Sequence, residues 1–133
     1  MRDVLVAGGG PAGLVTALYA RRAGLTVTVV EPRPAPIDKA CGEGLMPGAV
    51  AALAGLGVEA GGRPFRGIRY CAGPHSAVAD FPDGPGRGVR RTELHARLWH
   101  AADAAGVELH EGRVDAVEQR ADHVRAAGHV ARY

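Results

Sequence analysis

The chain has 133 residues, of which 47% are apolar, so it can bury the core of one globular domain and is not a disordered tail. Lys and Arg total 16 against 14 Asp and Glu, and the net charge of +2 is too small and scattered to indicate a nucleic-acid partner. Two cysteines do not form a disulfide framework, and no Cys or His spacing predicts a metal site. We identify no secretory signal and no apolar run long enough to cross a bilayer, which predicts a cytoplasmic protein without a transmembrane segment.

Residues 4–31 have the pattern of a strand, a glycine-rich turn, a helix and a second strand. Gly8, Gly10 and Gly13 fill a G-x-G-x-x-G motif directly after the first apolar run, and Glu31 closes the second run. In this context the motif is the fingerprint of a dinucleotide-binding βαβ unit. The stretch therefore predicts an α/β fold of the Rossmann type, with a parallel sheet.

Each residue of the motif has a physical reason. Gly8 lets the chain turn sharply out of the first strand, Gly10 removes a Cβ from the path of a pyrophosphate, and Gly13 lets the helix lie close to the sheet. Pro11 suits the first helical position, and the helix N-terminus favours an anion. Glu31 can accept hydrogen bonds from a ribose and would repel a 2′-phosphate, which favours FAD or NAD over NADP. The motif alone does not distinguish FAD from NAD.

Two loops follow the second strand. Residues 32–36 are too rich in proline for helix or central strand, and Arg33 in this loop could contact an adenosine or be merely solvated. The next loop is rich in glycine and contains Cys41, which could face a cofactor or substrate, although a free cysteine is more often a small buried apolar residue. Pro47 then opens a short apolar helix that ends around Gly57.

The second half of the chain contains further strands and one long helix. Residues 66–72 and 76–82 predict an antiparallel hairpin across a Gly-Pro turn. A helix over 90–106, stopped by its final glycine, leads into a strand at 107–111 that should lie parallel in the main sheet. Residues 113–133 form three short polar–apolar alternations, which predict a β-meander.

Four ring-bearing residues lie in or near the long helix. We expect His95, His100 and His110 to be surface or capping residues rather than catalytic ones. Trp99 is the single tryptophan of the chain, and core packing explains it better than a cofactor contact does.

Three segments together carry a resemblance to a known family. They are VLVAGGGPAGLVTALYARRAGLTVTVVE at the start, KACGEGLMP after it, and GVRRTELHARLWHAADAAGVELHEGRV further on. With these segments the chain resembles the N-terminal part of flavoproteins of the aromatic-hydroxylase-like superfamily. This group includes FAD-dependent monooxygenases, flavin-dependent halogenases and geranylgeranyl reductases, and KACGEGLMP is similar to the K-x-C-G segment of the reductases.

The resemblance implies a role for individual positions. The FAD pyrophosphate would be held by Gly8, Gly10, Pro11, Ala12 and Gly13. Glu31 would bind the adenosine ribose, Val114 would contact the adenine through its backbone, and Arg91, with Arg90 as an alternative match, would reach the flavin side. Arg91 could also be a surface residue, although a cation at a helix N-terminus opposes the helix dipole, which favours a specific partner.

The resemblance also implies a function. It predicts an FAD-dependent oxidoreductase, foremost a monooxygenase that uses NAD(P)H and O₂ on an aromatic or polyketide-like small molecule. The alternatives are a geranylgeranyl-reductase-like enzyme acting on isoprenoid double bonds, for which Cys41 is the residue of interest, and a catalytically inert nucleotide-binding fragment. Family members continue with two further acidic motifs and a substrate domain that are absent from residues 1–133. We therefore expect a partial FAD-binding domain that stops at Tyr133 in mid-strand.

Overall fold

The computed structural model describes residues 1–132, which form a layered α/β domain. Its helices are α1 (Pro11–Arg22), α2 (Pro47–Gly55) and α3 (Arg91–Ala104). Its first strands are β1 (Val4–Ala7), β2 (Val27–Glu31), β3 (Gly44–Leu45), β4 (Arg63–Phe65), β5 (Gly67–Ala72) and β6 (His75–Asp80). The remaining strands are β7 (Gly86–Gly88), β8 (Glu108–Glu111), β9 (Val117–Gln119), β10 (His123–Ala126) and β11 (His129–Arg132).

The central layer is a parallel sheet of three strands in the order β1-β2-β8. Val4 lies opposite Val27 in the first pairing, and Glu31 lies opposite Glu111 in the second. Helix α1 connects β1 to β2, and α3 leads into β8, so both connections return to the same sheet as parallel crossovers require. This arrangement confirms the predicted Rossmann-type unit and the parallel placement of the strand at 107–111.

The alternation of side chains along the strands separates the two faces of this sheet. Val27 and Val29 of the central strand point to the face that α1 and α3 cover, and they pack with Leu14 and Leu98 of those helices. Thr28, between the two valines, points to the opposite face and is also buried. Full burial of a leucine such as Leu14 or Leu98 contributes about 1.5–3 kcal/mol. Because both faces are covered, all five residues of β2 are buried.

The predicted β-meander is confirmed and lies on the face that carries Thr28. Strands β9, β10 and β11 pair antiparallel, and Arg2 joins them to β1 through backbone hydrogen bonds with Val130 and Arg132, each 2.9 Å long. The Asp3 carboxylate adds an ion pair with the Arg132 guanidinium at 2.8 Å. The predicted strand end at Tyr133 lies outside the described residues.

Two smaller antiparallel units sit beside this core. Strands β5 and β6 form the predicted hairpin across the turn at Gly73, and most of its side chains are exposed. Strands β3, β7 and β4 form a second sheet that the sequence does not predict. Its central strand is built around Gly86, where a Cβ would lie 2.5 Å from the Phe65 ring and 2.6 Å from the Leu45 carbonyl oxygen. Glycine is required there by close packing, although it lowers the local preference for a strand.

Each of the three helices ends two residues before a glycine. Helix α1 ends at Arg22, two residues before Gly24, and α2 ends at Gly55, two residues before Gly57. After α3, Gly106 has a φ of +75°, a left-handed conformation that glycine adopts without a steric cost. Within residues 1–132, no helix is both long and apolar enough to cross a membrane.

Replacement of Gly13 by alanine should destabilise this fold. The added Cβ would lie 2.0 Å from the Gly8 carbonyl oxygen, so α1 would have to move away from β1. We expect a loss of about 3 kcal/mol or more in the free energy of unfolding, measured by urea denaturation. Gly48→Ala in α2 is the matched control, because its Cβ meets no atom within 4 Å, and should change the free energy by no more than about 1 kcal/mol. Equal stability of the two variants would contradict the close approach of α1 to the turn.

Candidate cofactor site

The glycine-rich turn lies at the carboxyl end of β1 and leads directly into α1. Gly8 has a φ of +106°, and its N–H donates to the Val30 carbonyl of the adjacent strand at 2.9 Å. Gly10 is the residue before the helix and has no side chain to cap it, and Pro11 at the first helical position has no N–H. The N–H groups of Ala12 and Gly13, in the first turn, have no acceptor within the helix. The turn therefore presents free donors and the positive end of the helix dipole at one point.

Gly9, which the motif leaves unspecified, is tightly constrained by its neighbours. Its N–H donates to Oε2 of Glu31 at 2.9 Å, and its carbonyl oxygen accepts from Nε2 of His95 at 2.8 Å. A Cβ at this position would lie 3.0 Å from Cβ of Glu31 and 3.1 Å from the Trp99 ring. Two buried side chains therefore hold Gly9 from opposite ends of the residue, and little space remains for a side chain of its own.

Glu31 ends the central strand and is almost completely buried, with 3% of its surface exposed. Its Oε1 accepts from Nε of Arg33 at 2.8 Å and from the Arg33 backbone N–H at 3.1 Å. Burial opposes ionisation of this carboxyl, but the hydrogen bonds from Arg33 and Gly9 outweigh it and hold the pKa of Glu31 below its ordinary value. Arg33, predicted to be near an adenosine or simply solvated, pairs with Glu31 and keeps part of its side chain exposed.

His95 is fully buried, so the prediction that it is a surface or capping residue is wrong. Its Nδ1 accepts from the Ile37 N–H at 3.3 Å, so its proton lies on Nε2 and is donated to Gly9. The ring stacks on Trp99, with centroids 5.7 Å apart. The missed signal is helical spacing: His95 lies four residues from both Arg91 and Trp99, which places the three side chains on one face of α3.

The two neighbouring histidines and Trp99 agree with the sequence predictions. His100 and His110 are exposed. Trp99 is half-buried and packs against the core cluster between the sheet and the helices, as predicted. Its ring also forms one wall of the glycine turn at Gly9. Core packing and the shape of the turn therefore depend on the same side chain.

Arg91 is the first residue of α3 and faces the turn, whereas Arg90 before it is exposed. One guanidinium nitrogen of Arg91 lies 3.7 Å from where a Cβ on Gly10 would be. Its Nε is buried and has no hydrogen-bond partner among the described residues. A buried unpaired donor on a cation is costly, so this arrangement favours an anion at the open side of Gly10.

Glu43 was not singled out by the sequence, yet it connects the loop after β2 to the start of α3. Its carboxylate accepts from the Arg91 backbone N–H at 3.0 Å, and its carbonyl accepts from the Val89 N–H at 2.8 Å. A φ of +51° at Glu43, rare for a residue with a side chain, produces this geometry. The signal that could have revealed it is the acid between two glycines in KACGEG.

Cys41 is exposed, so the interpretation of it as a small buried apolar residue is wrong. It lies in an open loop, where its Sγ accepts from the Glu43 N–H at 3.4 Å, and it is not part of the hydrophobic core. A role for Cys41 towards a cofactor or substrate stays a prediction.

Val114 lies three residues beyond the end of β8, in the loop before the meander, and is half-buried. Because Glu111 pairs with Glu31 in register, this loop leaves the sheet at the edge where the glycine turn and Glu31 lie.

Within residues 1–132, no group of three or more His, Cys, Asp or Glu side chains could hold a metal ion.

These residues fit the ADP half of a dinucleotide. The donors of the first turn of α1, the open side of Gly10 and the unpaired Nε of Arg91 suit a pyrophosphate. The ionised Glu31 suits the hydroxyl groups of a ribose and would repel a 2′-phosphate.

Comparisons with known proteins agree with this geometry. The chain is 39% identical over 115 residues to a menaquinone reductase of Mycobacterium tuberculosis, which covers 80% of this chain and 28% of that protein. It is 53% identical over 62 residues to a 6-methylpretetramide 4-monooxygenase of Streptomyces rimosus, covering 46% of this chain and 15% of that protein. A solved flavoprotein/dehydrogenase of Cytophaga hutchinsonii has a TM-score of 0.82 and 27% identity, over 93% of this chain and 34% of that one. The chain therefore spans about a third or less of the length of these proteins.

The family comparison covers all described residues. Residues 1–132 match the model of the FAD binding domain, which confirms the resemblance, the fold class and the cofactor predicted from the sequence. The chain belongs to the FAD binding domain family.

Proposed function

We propose that the residues around the glycine turn bind the ADP half of FAD and that the protein is an FAD-dependent oxidoreductase. The observation that carries this proposal is the unpaired, buried Nε of Arg91 beside the open side of Gly10, at the N-terminus of α1. The Arg91 side chain and the N-terminus of α1 converge there, and Nε of Arg91 has no partner among residues 1–132, so an anionic ligand would satisfy both.

In this proposal the pyrophosphate lies over Gly10 and accepts from the N–H groups of Ala12 and Gly13. Gly8, Gly10, Pro11 and Gly13 act by shape, because they allow the turn, the approach of the phosphates and the start of the helix. Arg91 donates from its side chain to the same phosphates or to the part of the cofactor that follows them. Arg90 is exposed, whereas Arg91 lies beside Gly10, so we assign this role to Arg91.

Glu31 would bind the adenosine ribose while it continues to hold the turn. A carboxylate has about four lone-pair positions, and the hydrogen bonds from Gly9 and Arg33 leave capacity for a ribose hydroxyl. Arg33 would then lie beside the adenosine, and the backbone at Val114 would contact the adenine from the opposite loop.

A cytoplasmic location stays a prediction from the sequence.

FAD supplies the two-electron redox chemistry when it is bound, and the contribution of this chain is to bind and orient it. Within the oxidoreductases we favour a monooxygenase that takes electrons from NAD(P)H and uses O₂ on an aromatic or polyketide-like small molecule. The 53% identity to the 6-methylpretetramide 4-monooxygenase supports this choice. No catalytic acid or base from this chain is required for it.

A reductase is the second candidate, and one observation favours it. The similarity to the menaquinone reductase is lower in identity, at 39%, but extends over 80% of the chain. Such an enzyme would act on a quinone or an isoprenoid double bond. In that case Cys41 in the exposed KACGEG loop would be the residue of this chain to examine near the substrate.

Gly10→Val tests the cofactor site directly. A branched side chain at the open side of the turn should block the pyrophosphate, so we expect at least a tenfold fall in FAD affinity with little change in helix content. The measurements are fluorescence titration with FAD and circular dichroism. Gly48→Val, on the exposed side of α2, is the matched control and should bind FAD like the unchanged chain. Equal FAD affinity of the Gly10 and Gly48 variants would refute the placement, and failure of the unchanged chain to retain FAD would support the inert-fragment alternative.

Glu31→Gln tests the charge of the buried carboxyl. Because the pKa of Glu31 lies below its ordinary value of 4.5 in the folded state, its ionisation stabilises the fold above about pH 4.5 and less as the pH falls below it. The variant should lose about 1–3 kcal/mol at pH 7 and approach the unchanged chain below pH 4.5. Urea denaturation from pH 3 to pH 7 measures this difference. Glu111→Gln, exposed on the adjacent strand, is the control, and a stability loss for Glu31→Gln that is independent of pH would contradict the proposed charge.

An oxygen-dependence assay separates the two candidate activities. A monooxygenase should consume NAD(P)H and O₂ together and place an atom of ¹⁸O from labelled O₂ in an aromatic product. The assay compares the purified holoprotein under air and under nitrogen. NAD(P)H oxidation that is indifferent to oxygen and leads to a reduced quinone or prenyl substrate would exclude the monooxygenase and favour the reductase.

A further inference from the structure

We propose that His95 is a positioning residue for the cofactor phosphates, acting through the peptide group between Gly9 and Gly10. This inference rests on the proposed placement of the FAD pyrophosphate over the turn. It goes beyond that placement because His95 would not touch the cofactor. Its position is set by α3, and its effect is on the direction of one backbone N–H.

The hydrogen bonds of His95 fix which way its ring faces. The ring is fully buried, Nδ1 accepts from the Ile37 N–H at 3.3 Å, and Nε2 lies 2.8 Å from the Gly9 carbonyl oxygen. Stacking on Trp99 holds the plane of the ring. A neutral imidazole with its proton on Nε2 satisfies both partners at once, so the ring has a single orientation at this site.

This orientation determines the direction of the neighbouring peptide group. In a trans peptide the C=O of one residue and the N–H of the next point in opposite directions. Because His95 holds the Gly9 carbonyl on the inner side of the turn, the Gly10 N–H points outward. Gly10 is the residue that precedes α1, so this donor lies beside the start of the helix, where we place the phosphates. His95 thus adds a preorganised donor to the phosphate site.

The hydrogen bond between Glu31 and the Gly9 N–H does not set the direction of the Gly10 N–H. Glu31 accepts the Gly9 N–H, which belongs to the preceding peptide group. The peptide group between Gly9 and Gly10 is flanked by two residues without side chains and could rotate more freely than most. Among residues 1–132, His95 is the one residue whose side chain bonds to this peptide group. Loss of that bond should therefore cost FAD affinity beyond any loss of fold stability.

The test compares two amides that differ by one methylene. His95→Gln can reach the Gly9 carbonyl with its side-chain N–H, whereas His95→Asn is long enough only for the Ile37 N–H. We expect FAD affinity, measured by fluorescence titration, to stay within about threefold in the Gln variant and to fall about tenfold or more in the Asn variant. Leu98→Val, fully buried on the same helix, is the control for lost stability and should keep its FAD affinity while unfolding more easily.

Several results would overturn the proposal. They are equal FAD affinity in the Asn and Gln variants, a greater loss in Gln than in Asn, and an equal loss of affinity in Leu98→Val, which would tie the losses to lower stability. If Gly10→Val loses FAD while both His95 variants keep it, the phosphate placement stands and the role of His95 falls. If Gly10→Val keeps FAD, the placement itself is wrong.

A measurement on the unchanged chain covers the case in which a His95 variant does not fold. The Gly10 amide resonance should shift on addition of ADP and stay in place on addition of adenosine, because only ADP carries the phosphates. An unmoved Gly10 amide in saturating ADP would overturn the proposal without any substitution.

Discussion

Both peptide groups that flank Gly9 are hydrogen-bonded to buried side chains, and the rest of the cofactor site depends on this constraint. Glu31 holds the N–H at 2.9 Å from the end of the central strand, and His95 holds the carbonyl at 2.8 Å from the long helix. The turn therefore has a fixed shape before any ligand arrives. Preorganised donors of this kind bind an anion without the cost of ordering a loop.

Helix α3 connects the core to the site. Arg91, His95 and Trp99 follow one another at successive turns on the face that meets the glycine turn. Leu94 and Leu98, between them in the sequence, pack in the hydrophobic core. The burial that stabilises the domain thus also fixes the three side chains at the turn.

Local patterns in the sequence predicted much of this structure. The apolar run of β2, the glycine motif, the glycine after α3 and the polar–apolar alternation of residues 113–133 each act within a few residues, so the βαβ unit, the helices and the meander could be predicted from the sequence. The sheet of β3, β7 and β4 could not be predicted, because its strands come from segments far apart in the sequence. Gly86 is required there by close packing and lowers the local preference for a strand. His95 and Glu43 were missed for a similar reason. The role of His95 depends on the glycine turn that contacts one face of α3, and the role of Glu43 depends on the loop that contacts the start of α3. No local sequence pattern contains that information.

The central claim is that the pyrophosphate of FAD lies over Gly10, between the N-terminus of α1 and Arg91. A crystal structure of this chain soaked with ADP tests it most directly. The account predicts phosphate oxygens within hydrogen-bond distance of the Ala12 and Gly13 N–H groups and of the Arg91 side chain, with a ribose hydroxyl on Glu31. An ADP bound away from the turn, or one whose phosphates leave Nε of Arg91 without a partner, would contradict it.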